Sequence, residues 1–313
     1  MKSIFPRLFF FLLLGILAGS VIYLSRQVTF FLEHDSATIW YFVFSALLVF
    51  MITGLLVFSN STTFFGSLLY KSAALTMGFL LYFLMIVSLS DLADIFLKVS
   101  PGILGIIAFG LTLITIASGV LNSFSIRTTT HKIDVKNLSD TVRIAHLSDI
   151  HIGHFRGEKF LQQIVDKTNR EQPDIIVITG DLFDGKIRIK ESVLQPLKKL
   201  KAPILFVNGN HDGYSGLRTI NSLLPKVGVQ VLQNEIVKMN GLQIIGLNHM
   251  RPDNGQGGMH APDGPNMKDV LNSLNIDQSK PTILLHHSPD GVVYANQHGV
   301  DLYLSGHTHG GQQ

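Results

Sequence analysis

The sequence predicts four transmembrane helices followed by an α/β domain, and three observations lead to this fold class. Residues 1–126 carry only nine of the 47 charged side chains, whereas residues 127–313 carry 38. Four charge-free apolar stretches fill the first half of the chain. From residue 141 onwards, short apolar runs alternate with amphipathic segments, as strands alternate with helices in α/β folds.

The composition excludes several classes of protein. Hydrophobic residues make up 46% of the 313 residues and charged residues only 15%, which excludes a disordered chain because ample apolar surface is available for burial. The absence of cysteine excludes disulfides, thiolate metal sites and a cysteine nucleophile. A formal net charge of +3 is too small to predict nucleic-acid binding.

The apolar stretches in residues 1–126 predict a transmembrane region. Each is about as long as a helix needs to cross roughly 30 Å of hydrocarbon, and we expect no charge inside any span and hence no ion pathway. The first stretch exceeds the apolar core of a signal peptide, so we favour an uncleaved helix over a cleaved signal. The predicted spans are about 8–24, 39–58, 73–89 and 103–121.

Positive charges near the span ends predict the orientation of the chain. Four spans return the chain to the side where it started, so the N-terminus and the second half share one side. Cytoplasmic flanks are enriched in Lys and Arg, and the count favours a cytoplasmic second half of a multi-pass protein in the cell or inner membrane. The shared side collects Lys2, Arg7, Lys71 and Arg127, and the other side Arg26 and Lys98.

The second half divides into a linker, residues 127–140, and an α/β domain, residues 141–313. Apolar runs followed by turn residues predict the strands, and apolar residues at helical spacing predict the helices. The predicted strands are 142–147, 175–179, 204–207, 229–232, 236–239, 242–247, 283–285 and 302–304. The predicted helices are 158–171, 189–200, 216–224 and 289–297, with a Gly- and Pro-rich loop at 250–266.

Polar residues follow five of these strands, at the position where open α/β sheets bind ligands. All of them offer nitrogen or oxygen, and mixed carboxylate and imidazole donors favour Mn, Fe or Zn over Mg. Two such ions about 3.5–4 Å apart hold a phosphoryl group and activate a water. The residues are Asp149, His151, Asp181, Asn210, His211, His287, His307 and His309.

The order of these motifs resembles the calcineurin-like metallophosphoesterase family. The motifs are Asp149-x-His151, Gly180-Asp181-x-x-Asp184, Gly209-Asn210-His211-Asp212, His287 and Gly306-His307-x-His309. The longer string Gly306-His307-Thr308-His309-Gly310-Gly311-Gln312 is similar to the bacterial branch with N-terminal transmembrane helices. The resemblance covers about residues 140–313.

The resemblance implies a role for each site residue. The second metal ion would take Asp181 as a bridge, with Asn210, His287 and His307. His211 would protonate the leaving group or, with Asn210, bind the phosphate, and Asp184 would orient His211. Pro289 selects His287 over His286, because the family pattern is His-x-Pro. The first metal ion would take Asp149, His151, Asp181 and His309.

The resemblance also implies a four-layer α/β/β/α sandwich and a reaction. The chain stops four residues after His309, so we expect the sandwich to lack its C-terminal strands. We expect a membrane-anchored phosphoesterase in which hydroxide bound to two divalent ions attacks a phosphomonoester, phosphodiester or phosphoanhydride. We expect the bilayer and a phosphate ester, lipid-linked or membrane-proximal, as partners.

Three alternatives to this function stay open. One is a pyrophosphatase acting on a nucleotide-linked lipid precursor, and another is a cyclic-nucleotide phosphodiesterase. The third is a sensor or scaffold without catalysis, but such a protein would be free to lose Asp149, Asp181 or His211, and all are present. We interpret His154 and His249 as ordinary polar loop residues outside the site.

Overall fold

A computed structural model describes residues 4–185, 190–254 and 264–309 of the chain. Several features of the sequence interpretation lie outside these residues: Lys2, the start of the predicted helix at 189, residues 255–263 of the predicted loop, and residues 310–312 of the last motif. The chain forms two units, Met1–Ser125 and Ile126–Gln313, and each is described separately below.

Four long helices make up the first unit. They are α1 (Ile4–Phe31), α2 (Thr38–Phe58), α3 (Phe64–Leu97) and α4 (Pro101–Ser123). The hydroxyl of Thr63 caps α3 by accepting a hydrogen bond from the Gly66 N–H, and Pro101 occupies the first turn of α4, where proline costs no helical hydrogen bond. All four helices are long and apolar enough to cross a membrane.

The apolar side chains of this unit are mostly on its outside. Inside, Phe83 stacks on Phe44 and Phe79 with ring centroids 6.3 and 5.3 Å apart, and Ala73 and Ala108 allow close helix packing. Outside, large side chains such as Phe42 and Ile106 are more than 70% exposed. A surface this apolar is expected where lipid, rather than water, surrounds the helices.

Helix α3 extends beyond the predicted span and contains charges. Lys71, Asp91 and Asp94 all lie within the helix but outside the predicted span 73–89, so α3 continues into charged segments on both sides of that span. Its 34 residues rise about 50 Å at 1.5 Å per residue, which exceeds the hydrocarbon thickness and leaves room for polar ends. The Asp91 carboxylate accepts hydrogen bonds from Tyr23 Oη at 2.5 Å and Gln27 Nε2 at 2.7 Å, so it is partnered by α1.

Two four-stranded sheets form the framework of the second unit. The first sheet is parallel with the order β1-β2-β3-β4, and the second has the order β5-β6-β7-β8, with an antiparallel β5–β6 pair and parallel pairs beyond it. The strands are β1 (Ile144–Leu147), β2 (Ile175–Thr179), β3 (Ile204–Val207), β4 (Val229–Val231), β5 (Glu235–Met239), β6 (Leu242–Gly246), β7 (Thr282–Leu285) and β8 (Leu302–Leu304).

The helices of this unit agree only in part with those predicted from the sequence. The predicted helix at 189–200 is a 3₁₀ helix, Glu191–Lys199, that contains Pro196; proline has no N–H to continue an α-helix. Two short helices were not predicted, α6 (Asn210–Ser215) and α8 (Met267–Ser273). The remaining helices are α5 (Glu158–Arg170), α7 (Leu217–Leu223) and α9 (Val292–Gln297), and a 3₁₀ turn follows α7 at Leu224–Val227.

The apolar residues of this unit form three cores, one on the outer face of each sheet and one between the two sheets. In β2, Ile176 and Ile178 pack with α5 and the 3₁₀ helices, whereas Ile175 and Val177 pack between the two sheets. In β7, Leu284 faces α8 and α9 on the far side of the second sheet. Successive strand residues point to opposite faces, so both sheets are covered on both sides. The predicted fold class, apolar helices followed by a four-layer α/β/β/α domain, is confirmed.

Candidate metal centre

The loops after five strands meet at one edge of the two sheets. The β1 and β2 loops are joined by hydrogen bonds from the Asp149 N–H to Gly180 O and from the His151 N–H to Asp181 O. The β7 and β8 loops are joined by one from the Gly306 N–H to His287 O at 2.8 Å. These backbone bonds tie the loops within each sheet. The His307 N–H, which donates to Asp149 Oδ2 at 3.1 Å, joins the site residues of the two sheets.

One group of side chains gathers around Asp149. His309 Nε2 lies 3.4 Å from Asp149 Oδ1, and His151 Nε2 lies 3.3 Å from His309 Nε2. Each residue offers one ligand atom, and these atoms lie within 4.8 Å of one another. We call Asp149, His151 and His309 the metal-one group.

A second group gathers around His287. Its Nε2 lies 3.2 Å from each of Asp181 Oδ2, Asn210 Oδ1 and His307 Nδ1. The Nδ1–H of His287 donates to the Thr179 carbonyl at 2.8 Å, which fixes the tautomer and leaves Nε2 available as a ligand. We call Asp181, His287 and His307, with the adjacent Asn210, the metal-two group.

The Asp181 carboxylate lies between the two groups. Its Oδ2 is 3.2 Å from His287 Nε2 and 3.9 Å from His151 Nε2. The other oxygen, Oδ1, accepts the backbone N–H of His211 at 2.9 Å, and the side chain is only 2% exposed. This position is the one a bridging carboxylate needs.

The backbone of the site is strained. Eleven non-glycine residues have positive φ in the described part of the chain, and five of them are proposed ligands. Strain of about 1–3 kcal/mol per residue persists only where surrounding contacts enforce it, and it concentrates at functional sites. The five ligands are Asp149, His151, Asp181, His307 and His309, with φ between 51° and 69°.

Gly180 is required by space as well as by its φ of 86°. A Cβ atom there would lie 2.6 Å from His287 Nδ1 and 2.7 Å from the backbone nitrogen of Gly209. Any larger residue would push the metal-two group away from Asp181, which explains the glycine of the Gly180-Asp181 motif.

The electrostatics of His151 and Asp181 favour the protonation states that metal binding needs, whereas His287 has to lose a proton to bind an ion. Burial lowers the pKa of His151, so its imidazole is neutral at physiological pH. Burial alone would raise the pKa of Asp181, but the hydrogen bond and positive charge of His287 outweigh it and hold that pKa below its usual value. Burial alone would lower the pKa of His287, but the hydrogen bond and negative charge of Asp181 outweigh it and raise that pKa. Neutral imidazoles and ionised carboxylates are the forms that bind divalent ions.

Asp212 is a buried residue that the sequence interpretation left without a role. Its Oδ2 accepts the backbone N–H groups of Asp181 and Gly209, both at 2.8 Å, and its Oδ1 accepts that of Phe183 at 3.1 Å. Burial raises the pKa of Asp212 to about 7, against the hydrogen bonds from Gly209 and Phe183, which favour the ionised form. In the sequence, the position of Asp212 within the motif Gly209-Asn210-His211-Asp212 could have indicated that it has a role in the site.

His211 and Asp184 stand on the solvent side of the site. His211 Nδ1 lies 3.8 Å from Asp184 Oδ1, and both side chains are more than one third exposed. The His211 ring meets the His151 ring edge-on at 4.8 Å. His211 therefore stands beside the metal-one group and reaches solvent.

His286 and His287 point in different directions. His286 Nδ1 bonds to Ser288 O and Tyr303 Oη, both at 2.9 Å, and its Nε2 accepts the Met250 N–H at 3.3 Å. Burial lowers the pKa of His286 to about 3, so the ring is a neutral structural group. The structure thus brings His287, and not His286, to the metal-two group.

Two residues close to the site, His249 and Arg156, were not assigned to it from the sequence, and the burial of His154 also differs from the sequence interpretation. His249, 3% exposed, places its ring 5.6 Å from that of His287, and His154 is 9% exposed, so both are buried rather than ordinary loop residues. Arg156 lines a cavity of about 330 Å³ together with Asp149 and His309. His249 lies just beyond β6, so the strand-end rule that selected the other residues would have selected it too.

The donor set fits two divalent ions. Each group combines carboxylate and imidazole donors, Asp181 is placed to serve both, and the tautomer of His287 presents a free nitrogen. Nitrogen and oxygen donors without thiolate suit Mn, Fe or Zn.

Residues 142–311, slightly more than half of the chain, match the family model described as calcineurin-like phosphoesterase. The chain belongs to this family. An uncharacterized metallophosphoesterase of Helicobacter pylori is 36% identical over 178 residues, covering 56% of this chain and 46% of the relative. An uncharacterized metallophosphoesterase of Aquifex aeolicus is 33% identical over 205 residues, 61% of this chain and 72% of the relative.

A third relative combines the domain with membrane helices by name. It is a transmembrane protein with metallophosphoesterase domain from Danio rerio, 34% identical over 197 residues, which cover 58% of this chain and 44% of that protein. The chain thus spans about half the length of several relatives that it matches. The family resemblance stated from the motifs is confirmed.

We predict that Asp212→Ala destabilises the fold by about 3 kcal/mol or more, because three buried N–H groups lose their acceptor at about 1–3 kcal/mol each. Thermal unfolding of the full chain in detergent, without added metal, measures this. Asp166→Ala, which removes an exposed carboxylate from α5, should shift the midpoint little. Equal midpoints for the two variants would contradict the anchoring role of Asp212.

Proposed function

We propose that the protein is a membrane-anchored phosphoesterase that uses two divalent metal ions to hydrolyse a phosphomonoester, phosphodiester or phosphoanhydride. The observation that carries this proposal is the position of Asp181 between two groups of ligand atoms, at the edge of a calcineurin-like phosphoesterase domain.

Each of the two groups of ligand atoms would hold one ion. The metal-one group with Asp181 would hold the first ion, and the metal-two group the second. Asp181 would bridge them, with its backbone fixed by Asp212. When bound, two divalent ions polarise the phosphoryl group and supply a nucleophilic water at neutral pH.

His211 is the proposed proton donor to the leaving group. The side chain lies beside the metal-one group, and the His211 backbone N–H donates to Asp181 Oδ1, so the His211 backbone is tied to the proposed bridging carboxylate. Asn210 and His211 would contact the phosphate oxygens. Asp184, 3.8 Å from His211 Nδ1, would orient the ring so that Nε2 faces the substrate.

The apolar helices favour a substrate at the membrane surface. An anchor raises the local concentration of an enzyme at its own membrane, which helps with a lipid-bound ester and brings no gain with a freely diffusing one. Polar groups line the cavity beside the metal-one group, among them Arg156, Ser148 and Thr308. These groups suit an anionic phosphate compound.

The function is tested with a panel of phosphoesters, assayed on the full chain in detergent with added Mn²⁺ or Zn²⁺. We expect hydrolysis that disappears with a chelator and returns with metal. Asp181→Asn should abolish nearly all of it and lower the bound content of both ions in elemental analysis, whereas Asp166→Asn should change neither. Normal turnover with two bound ions in Asp181→Asn would remove Asp181 from the bridging role.

The acid role of His211 predicts a dependence on the leaving group. His211→Ala should lower turnover by about 10²–10⁴ on an alkyl phosphoester, because its leaving group needs a proton. The loss should be much smaller on a nitrophenyl ester, whose leaving group departs unprotonated. Equal losses on both substrates in steady-state assays would make His211 a phosphate-binding residue instead.

We also propose that four membrane crossings place the N-terminus and the phosphoesterase domain on the same, cytoplasmic side. Topology reporters fused after Met1 and after Asn122 should both report the cytoplasm. Reports from opposite sides would mean that one of the four helices does not cross. Two periplasmic reports would preserve the number of crossings and reverse the proposed side.

A further inference from the structure

Two imidazole nitrogens at the solvent side of the site lack a hydrogen-bond partner. Nδ1 of His151 and Nδ1 of His211 are both buried atoms, and neither has a partner in the part of the chain that the structure describes. The two rings stand edge to face at 4.8 Å. Buried donors without an acceptor are costly, so both positions call for an acceptor nearby.

The carboxylate of Asp184 lies beside both rings. His151, Asp184 and His211 each offer one ligand-capable atom, all within 4.8 Å of one another. The Asp184 Oδ1 atom is 3.8 Å from His211 Nδ1. A shift of the Asp184 carboxylate by roughly 1 Å would bring its Oδ1 atom within hydrogen-bond range of His211 Nδ1.

The backbone holds Asp184 at this place. Its N–H donates to the Ile152 carbonyl at 2.9 Å, and Ile152 pairs with Phe183 in a parallel bridge. A Cβ atom on Gly153 would lie 2.7 Å from Asp184 Cβ and 3.0 Å from its Oδ2. The glycine after the Asp149–His151 motif therefore leaves the space that the Asp184 side chain occupies.

A histidine that binds a metal ion through Nε2 needs an acceptor for its Nδ1–H, and the Asp184 carboxylate is placed to be that acceptor for His151. The Nε2 atom of His151 faces Asp149, Asp181 and His309, so a neutral ring that binds through Nε2 carries its proton on Nδ1. Ligating histidines usually donate that proton to a carboxylate or carbonyl, which fixes the ring and strengthens the ligand. One carboxylate has two oxygens and accepts from two such donors.

We propose that Asp184 is a positioning residue shared by His151 and His211, whose Nδ1–H groups both donate to its carboxylate. This inference rests on the proposed function, and it adds to the orienting of His211 a second task, the orienting of a metal-one ligand. Asp184 thereby links the affinity for the first ion to the alignment of the proton donor.

If Asp184 orients both His151 and His211, its substitution should change metal affinity. If it orients His211 alone, metal affinity should stay the same. Loss of a carboxylate that orients a ligating histidine lowers metal affinity about 10–100-fold. Asp184→Asn should therefore weaken one of two Mn²⁺ sites by this factor, and Asp184→Glu should restore part of it. His211→Ala should leave both Mn²⁺ affinities as they are, although it impairs turnover.

Calorimetric titration of the metal-depleted full chain with Mn²⁺ in detergent measures these affinities without any substrate. Gly153→Ala supplies a second variant, since it displaces the Asp184 carboxylate and keeps its charge, and it should weaken the same site. Glu158→Gln, a change at an exposed carboxylate of α5, is the matched control and should bind as the unchanged protein does.

Two results would overturn the inference. One is an unchanged pair of Mn²⁺ affinities in a folded Asp184→Asn protein. The other is a third bound ion that this variant loses, since Asp184 would then be a ligand and not an acceptor. The binding result is independent of turnover: a chain that shows the predicted affinities and hydrolyses no phosphoester would keep this inference and refute the proposed function.

Discussion

Three backbone N–H groups converge on one buried carboxylate, and the geometry of the site depends on this interaction. Asp212 binds the N–H groups of Asp181, Gly209 and Phe183, so the loops after β2 and β3 are tied to one side chain. Asp181 then lies between two groups of ligand atoms with one oxygen held by the His211 N–H. Asp212 therefore fixes the backbone of Asp181, the residue that we propose as the bridge.

The rest of the site follows from the ends of parallel strands. Alternating side chains bury both faces of β2 and β3, so each strand can present polar groups only at its end. The loops after β1, β2 and β8 pass through left-handed backbone at five proposed ligands, and cross-loop hydrogen bonds sustain that strain. The two sheets thus form a rigid framework that holds the loops carrying the site residues.

Much of this arrangement was predictable from the sequence, because strand ends have a local signature. The runs 175–179 and 204–207 are apolar and end at Gly180-Asp181 and at Asn208, and the structure places those strands where the pattern predicts them. Asp212 was not predictable in the same way, since its contacts are with residues about 30 positions away. The full length of α3 was not predicted because hydropathy marks only the apolar part of a helix, and α3 continues past that part to Asp91, which is paired to α1.

The central claim is that Asp181 bridges two ions. Anomalous diffraction from crystals of the full chain grown with Mn²⁺ tests it most directly. The account predicts two manganese peaks about 3.5–4 Å apart, with one Asp181 oxygen between them, His309 on one side and His287 on the other. A single peak, or two peaks with Asp181 bound to only one of them, would contradict it.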